Sequence, residues 1–467
     1  MIHKFICQEI IKSLPFTLTE EQKQLIQLLS DFLFSPNQRK TFVLKGYAGT
    51  GKTSIISSLI KVLQKYQQKF VLLAPTGRAA KVFSSYSNAP ATSIHKKIYR
   101  QKSITESKFN LNQNLHKNTL FVVDEASMIY TASREDIFGS GNLLTDLIDF
   151  VFTDSSNTLL LLGDDAQLTP ILQQKTPALE IDELNSYNLS IQSFLLTEVT
   201  RQTETSSILK NATYLRNCIT KQQVFKQPIF NITTPEIERI SGSELINKLS
   251  FCYENYAIED TIVITRSNRL ANLYNKGIRN QVFQAESEIS NNDLILITKN
   301  HYCENNQSET IKFIANGDIC RIKKLYKYQS LYGFSFAQAI IQFDDINEEF
   351  ETKILIDSLY CDTTESVNNL NKQLKETILE DYQDLPNKAE QYKAVLKNEY
   401  FNALQIKFAY AITCHKAQGG QWENVFIEQG FINEESINID YYRWLYTAFT
   451  RAKQKLFLIN FPDKNFK

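Results

Sequence analysis

The chain has 467 residues, more than one ordinary core accommodates, so several domains are expected. Lysine plus arginine and aspartate plus glutamate each number 51, which excludes a global basic field and confines any polynucleotide contact to a local groove. The 7 cysteines are odd in number, scattered and never in CxxC spacing, which argues against a disulfide framework or a zinc ribbon and fits a reducing cytoplasm. No stretch approaches the roughly 18 apolar residues of a membrane span, and Lys4, Glu9 and Lys12 interrupt the first apolar residues, so a soluble, unexported protein is expected.

In chain order, an apolar strand (Thr41-Phe42-Val43-Leu44) runs into Gly46-Tyr47-Ala48-Gly49-Thr50-Gly51-Lys52-Thr53, and a helix is predicted over 53–65. GxxxxGK[ST] between strand and helix aims backbone N–H groups at an anion. Gly46, Gly49 and Gly51 permit the tight turn, and with Ala48, Thr50 and Ser54 they form a loop for a nucleoside triphosphate. Lys52 would neutralise the β- and γ-phosphates, and the Thr53 hydroxyl would hold Mg²⁺.

Further apolar runs, Phe70-Val71-Leu72-Leu73, Leu120-Phe121-Val122-Val123 and Leu159-Leu160-Leu161-Leu162, read as buried parallel strands. They end in Pro75-Thr76-Gly77, Asp124-Glu125 and Gly163-Asp164, at the strand ends where an open α/β sheet binds its ligand. Residues 1–190 are therefore expected to form a first lobe. Two adjacent carboxylates at a strand end are costly to desolvate, and a metal site explains them: Asp124 would hold Mg²⁺ and Glu125 would deprotonate an attacking water. Gln167 has the reach and neutral amide to sense a terminal phosphate. Over 96–118 the text turns polar, with Lys96, Lys97, Arg100, Lys102, Lys108 and Lys117 around Tyr99 and Phe109. This is either a solvated connection or a basic excursion bearing aromatic residues.

A second α/β pattern is expected over 191–300 and 401–467. It begins at Phe194-Leu195-Leu196 and continues with Thr261-Ile262-Val263-Ile264, a helix over 268–282, Val425-Phe426-Ile427 and Leu456-Phe457-Leu458-Ile459. Between its halves, 301–400 reads as an inserted small β-domain: a turn at Asn316-Gly317-Asp318, alternating strands, and one or two helices broken near Pro386. Arg201, and Arg451 in a helix predicted over 441–453, are candidate arginine fingers, although a lone arginine usually makes a surface salt bridge.

The ordered segments Phe16-Thr17-Leu18-Thr19-Glu20-Glu21-Gln22, the phosphate loop, Ala74-Pro75-Thr76-Gly77-Arg78-Ala79-Ala80, Thr92-Ser93-Ile94-His95-Lys96, Asp124-Glu125-Ala126-Ser127-Met128, Gly163-Asp164-Asp165-Ala166-Gln167-Leu168, Thr200-Arg201-Gln202, Thr413-Cys414-His415-Lys416-Ala417-Gln418-Gly419 and Tyr446-Thr447-Ala448-Phe449-Thr450-Arg451 resemble those of superfamily 1 DNA helicases. The likeness spans about residues 16–460 and favours the 5′-to-3′ branch of RecD/Dda type over Pif-type relatives, on Ala79-Ala80 and the form of the Arg451 segment. It implies an α/β fold of two RecA-like parallel-sheet lobes of the P-loop NTPase type, with a small inserted β-barrel and a short pin-like excursion in the first lobe.

It further implies that Gln22 reads the adenine edge and that Gln167, Arg201 and Arg451 face the γ-phosphate. Pro75, Thr76, Thr92, His95, Thr413 and His415 match positions that line the family's single-strand track, while both histidines also admit a purely structural reading. The expected activity uses ATP and Mg²⁺ to move 5′ to 3′ on single-stranded DNA and to unwind forked or tailed duplex, as a monomer, with repair, recombination or replication as settings and proteins of those processes as partners. The alternatives are a nucleic-acid-stimulated ATPase switch that remodels a partner without unwinding, and an RNA translocase.

Overall fold

The computed structural model describes residues 2–100, 109–132, 138–199, 206–224, 226–232, 234–302, 313–343 and 349–466. The first lobe comprises α1 (Ile2–Ser13), α2 (Glu20–Phe34), β1 (Lys40–Gly46), α3 (Lys52–Lys65), β2 (Phe70–Ala74), α4 (Gly77–Ser87), β3 (Ala91–Ser93), α5 (Ile94–Ile98), β4 (Tyr99–Arg100), β5 (Asn110–Leu111), β6 (Leu120–Val123), α6 (Leu143–Val151), β7 (Thr158–Gly163), α7 (Ile181–Asn185) and β8 (Ser190–Leu196). Its sheet runs β3-β2-β6-β7-β1-β8, with every neighbouring pair parallel.

Helices on both faces explain why these strands are unbroken apolar runs rather than alternating ones. In β7, Leu159 and Leu161 pack with α5 and α6 residues such as Ile94, Leu147 and Ile148, while Leu160 and Leu162 pack on the other face with Leu25 and Leu29 of α2 and Ile56, Leu59 and Ile60 of α3. Each such buried aliphatic side chain contributes about 1.5–3 kcal/mol. The run at Phe194-Leu195-Leu196, expected to open the second lobe, instead extends the first sheet as β8, paired with β1 from Lys40↔Ser190 to Gly46↔Leu196. The polar excursion has an antiparallel base, Tyr99↔Leu111 and Arg100↔Asn110; its middle, 101–108, lies outside the described residues.

The second lobe begins with α8 (Ser207–Thr220), β9 (Ile237–Ile240), α9 (Leu245–Asn255), β10 (Thr261–Thr265) and α10 (Asn268–Gln281). The chain then builds β11 (Leu294–Ile297), a short ladder of β12 (His301–Tyr302) with β13 (Phe313–Ile314), then β14 (Ile319–Leu331), β15 (Phe334–Phe343), β16 (Glu349–Leu355), α11 (Thr364–Glu380), α12 (Lys388–Lys397) and β17 (Leu404–Phe408). Strands β11-β14-β15-β16-β17 close a barrel. The barrel therefore takes in strands on both sides of the expected 301–400 insertion. Leu294–Ile297 is uniformly apolar and reads like one more parallel strand, yet it pairs antiparallel with β14 and β17. Helices α11 and α12 cover this barrel, through Leu370, Leu374, Ile378 and Val395 against Phe336 and Leu355.

The second lobe is completed by β18 (Ala411–Thr413), α13 (Cys414–Ala417), β19 (Trp422–Glu428), α14 (Ile439–Phe449) and β20 (Ala452–Ile459), giving the parallel order β18-β10-β19-β20-β9. Helix α14 stops short of the predicted 441–453: Thr450 caps it and Arg451 follows in a turn, its N–H donating to Ala448 O at 3.2 Å. The barrel is tied to this lobe by Arg279 of α10, which bonds Asp293 just before β11 (Nε to Oδ1, 3.0 Å) and the carbonyls of Glu288 and Ser287, both at 3.0 Å. No helix among the described residues is long and apolar enough to cross a membrane.

Candidate active site and nucleic-acid cleft

β1 delivers the phosphate loop, and the backbone supports the glycine reading: Gly49 and Gly51 adopt φ of 79° and 83°, the left-handed region that glycine enters without penalty. Gly51 caps α3, so the first-turn N–H groups of Lys52, Thr53 and Ser54 lack helical partners and point out of the positive end of the helix dipole. Lys52 Nζ folds back over the loop to donate to Gly46 O at 2.6 Å. Gln22 is fully buried: its Nε2 donates to Thr50 O at 2.9 Å and its Oε1 accepts from Thr19 N at 3.1 Å, so the amide braces the loop with one N–H and one lone pair left over.

At the end of β6, Asp124 Oδ2 accepts from the Tyr86 hydroxyl at 2.6 Å, and Oδ1 accepts from Glu125 N at 2.9 Å. Burial, with Asp124 beside it, keeps the Tyr86 phenol protonated far above its usual range. Glu125 sits at φ 51°, a conformation rarely adopted outside glycine and asparagine, which marks a constrained site. Burial pushes its carboxyl above the usual range, opposed in part by Arg451. Asp164 is raised likewise, with Lys52 as the largest opposing influence. Thr53, Asp124 and Glu125 line one cavity of about 1400 Å³. A hydroxyl and a carboxylate on one cavity, beside the positive end of α3, fit Mg²⁺, a hard cation that takes few protein oxygens and completes its shell with phosphate and water.

The second lobe closes directly on this site. The Tyr446 hydroxyl of α14 accepts from Ala48 N in the phosphate loop at 3.1 Å and donates to Asp164 Oδ2 at 2.5 Å. Thr447 Oγ1 accepts from Leu168 N (2.9 Å), Gln418 Nε2 donates to Leu168 O (2.9 Å), and Arg443 donates to the carbonyls of Asp165 and Gln167. Arg216 of α8 stacks over the Tyr47 ring, 4.4 Å from its centroid. Arg451 is 4% exposed; its guanidinium donates to Thr447 O and Gly420 O, and Nη1 stands 3.9 Å from Glu125 Oε1. Gln167 is buried with its Oε1 lacking a partner among the described residues, consistent with a group held for a ligand. Arg201 lies outside the described residues.

The expected strand-binding residues divide. Thr92 lines the cavity, and Thr413 begins α13 with its hydroxyl making no capping bond. Thr76 caps α4 by accepting from Ala79 N at 3.1 Å, Pro75 is buried and His415 is exposed. His95 packs among Tyr99, Tyr130 and Phe138, and burial pulls its imidazole down to about 4, so it is neutral. The lobes meet tightly here. A methyl on Gly419 would come within 2.5 Å of Ala79 Cβ, Arg78 stacks 3.9 Å over Trp422, and the barrel seats Asp318 against Gly77 at the start of α4. Sequence reasoning did not single out Tyr86, Arg443 or Tyr446. Tyr446 lay inside a quoted segment, and a tyrosine beside buried carboxylates was the available signal.

Residues 17–224 match the model of an AAA domain family, and 408–459 that of the UvrD-like helicase C-terminal domain. The chain is 26% identical over 512 residues to an uncharacterized protein of Acanthamoeba polyphaga mimivirus, covering 94% of this chain and 98% of that one. It is 23% identical over 463 residues to the RecBCD enzyme subunit RecD of Buchnera aphidicola subsp. Schizaphis graminum, covering 88% of this chain and 69% of the relative. Among solved structures it resembles Pif1 helicase from Bacteroides in complex with ADP-AlF3 and ssDNA (TM-score 0.47, 15% identity, 96% and 93% coverage) and Pif1 helicase from Candida albicans (0.46, 13%, 96% and 96%).

Proposed function

We propose that the chain is a superfamily 1 helicase of RecD-like type, an ATP-hydrolysing DNA helicase. We propose further that it moves 5′ to 3′ on single-stranded DNA and opens forked or tailed duplex, an activity suited to repair, recombination or replication.

In this reading ATP lies on the loop of Gly46 to Ser54, with Lys52 against its β- and γ-phosphates. Thr53 and Asp124 would hold Mg²⁺, which when bound neutralises phosphate charge. Glu125 takes a proton from water as the water oxygen bonds to the γ-phosphorus and the bond to the β–γ bridging oxygen breaks, leaving ADP and phosphate. A carboxyl raised by burial suits a base of this kind. Arg451 stabilises the charge that develops on the transferred group, and Gln167 senses it. By the resemblance, Arg201 acts beside them.

The observation that carries the proposal is Arg451 of the second lobe standing 3.9 Å from Glu125 of the first. With the base and the arginine on different lobes, completing the site and closing the lobes become one event. Hydrolysis then lets them part, and alternating grip by Thr76 and Thr92 on one lobe and Thr413 and His415 on the other converts closure into steps. Unwinding assays on duplexes with a free 5′ tail or a free 3′ tail test this. Strand separation from the 5′ tail alone is expected. Separation from the 3′ tail overturns the direction, ATPase without separation favours the remodelling switch, and stimulation by RNA alone favours an RNA track.

A further inference from the structure

Asp124 is not free to turn. A carboxylate has about four lone-pair positions. The Tyr86 hydroxyl fills one on Oδ2 at 2.6 Å, and the Glu125 N–H fills one on Oδ1 at 2.9 Å. The two donors fix the plane of the group and leave one position on each oxygen for a ligand. Tyr86 is itself held: its carbonyl accepts from Ser57 Oγ at 2.6 Å, and its ring stacks on Phe83, with centroids 5.1 Å apart and planes 28° from parallel. Ser57 belongs to the same helix as Thr53, and Phe83 is fully buried in the first-lobe core. Thr53, Tyr86 and Asp124 all line the same cavity.

We propose that Tyr86 is a positioning residue for the metal-binding carboxylate, holding Asp124 in the orientation that Mg²⁺ requires and thereby setting the affinity of the metal–nucleotide complex. The inference rests on the reading of Thr53 and Asp124 as the metal ligands. Residues that orient metal ligands in this way commonly account for about 10–100-fold in metal affinity. Nothing in the residue's sequence context marks it, since it follows a Phe-Ser-Ser stretch of α4 and bears no charge.

The test is Mn²⁺ binding followed by electron paramagnetic resonance on the full chain with saturating ADP, in the parental protein and in Tyr86→Phe. The phenylalanine keeps the ring stack and removes only the donor. Its Mn²⁺ affinity is expected to fall about 10–100-fold, while ADP affinity measured in EDTA and the melting temperature stay at parental values. Equal Mn²⁺ affinity in both proteins overturns the inference and leaves the proposed function standing. A parental protein that binds ADP but shows no ADP-dependent Mn²⁺ site overturns both. A loss of metal-free ADP affinity equal to the loss of Mn²⁺ affinity assigns Tyr86 to general support of the loop and also overturns the inference.

Discussion

Two buried arginines, Arg279 and Arg451, are each 4% exposed and have opposite local arrangements. Arg279 meets Asp293 at 3.0 Å, fills its other donors with the carbonyls of Glu288 and Ser287 and the hydroxyl of Ser290, and lies 4.3 Å over the Phe408 ring. Every polar atom of that ion pair is satisfied, as a buried pair must be if it is not to destabilise. Arg451 is anchored by the carbonyls of Thr447 and Gly420, while its carboxylate neighbour Glu125 stands off at 3.9 Å. The first arginine fastens the barrel to the second lobe. The second is aimed from one lobe at a carboxylate of the other and keeps its electrostatic reach for charge that arrives there.

The sharpest test of this contrast exchanges the readouts. Arg451→Ala should lower the ATPase turnover by about 10³-fold or more with a near-parental melting curve. Arg279→Ala should lose about 3–5 kcal/mol of stability in denaturant titration while each folded molecule keeps its turnover. If both variants lost stability and turnover together, the contrast would collapse. Glu125→Gln, which removes the base facing Arg451 and retains its shape, should cost about 10²–10⁴-fold in phosphate release while nucleotide binding persists.

The same contrast extends to histidine. His95 is neutral, its pKa lowered from 6.5 to about 4 by burial. A lowered folded-state value means its share of stability, about 3 kcal/mol, is fully present above pH 6.5 and is lost as pH falls through about 4. His95→Gln should flatten the acid limb of the melting-temperature profile in part only, because His301 is lowered in the same way. The smallest effect is expected at the seam. Tyr446→Phe removes bonds to Ala48 N and Asp164, and should reduce stimulation of the ATPase by single-stranded DNA about tenfold, the equivalent of one charge-assisted hydrogen bond. An unchanged stimulation factor would show that the bridge does not couple the lobes.

What was legible in the chain follows from what each feature demands of the backbone. The phosphate loop could be read because Gly49 and Gly51 need positive φ, and the strand ends because parallel strands buried on both faces leave continuous apolar runs. Pairing could not be read. Phe194-Leu195-Leu196 looks like any buried strand, and only its partner β1, far back in the chain, places it in the first sheet. The barrel hairpin was obscured for a different reason: its turn residues Tyr332 and Gly333 both take positive φ, 57° and 77°, a primed turn in which tyrosine is an unexpected first residue. The bonds of Gln22 to Thr19 and Thr50 also needed the fold, since Thr50 is 28 residues away. Tyr86 and Tyr446 needed the fold, because their importance lies in partners 38 and 398 residues away.

The strand order of the second sheet has a consequence for synthesis on the ribosome. Its late strand β20 lies between β19 and the much earlier β9, whereas the first sheet holds all its strands once Leu196 is made. The nascent second lobe must therefore wait, with β9 and β10 unpartnered, while the barrel is translated and folds in between. Over that interval Tyr47 and Ala48, which the finished protein packs against the second lobe, face water on a first lobe that already has its full sheet. A pause in translation once β17 has emerged from the ribosome would prolong that state, with the barrel finished and the catalytic seam still missing half its surface.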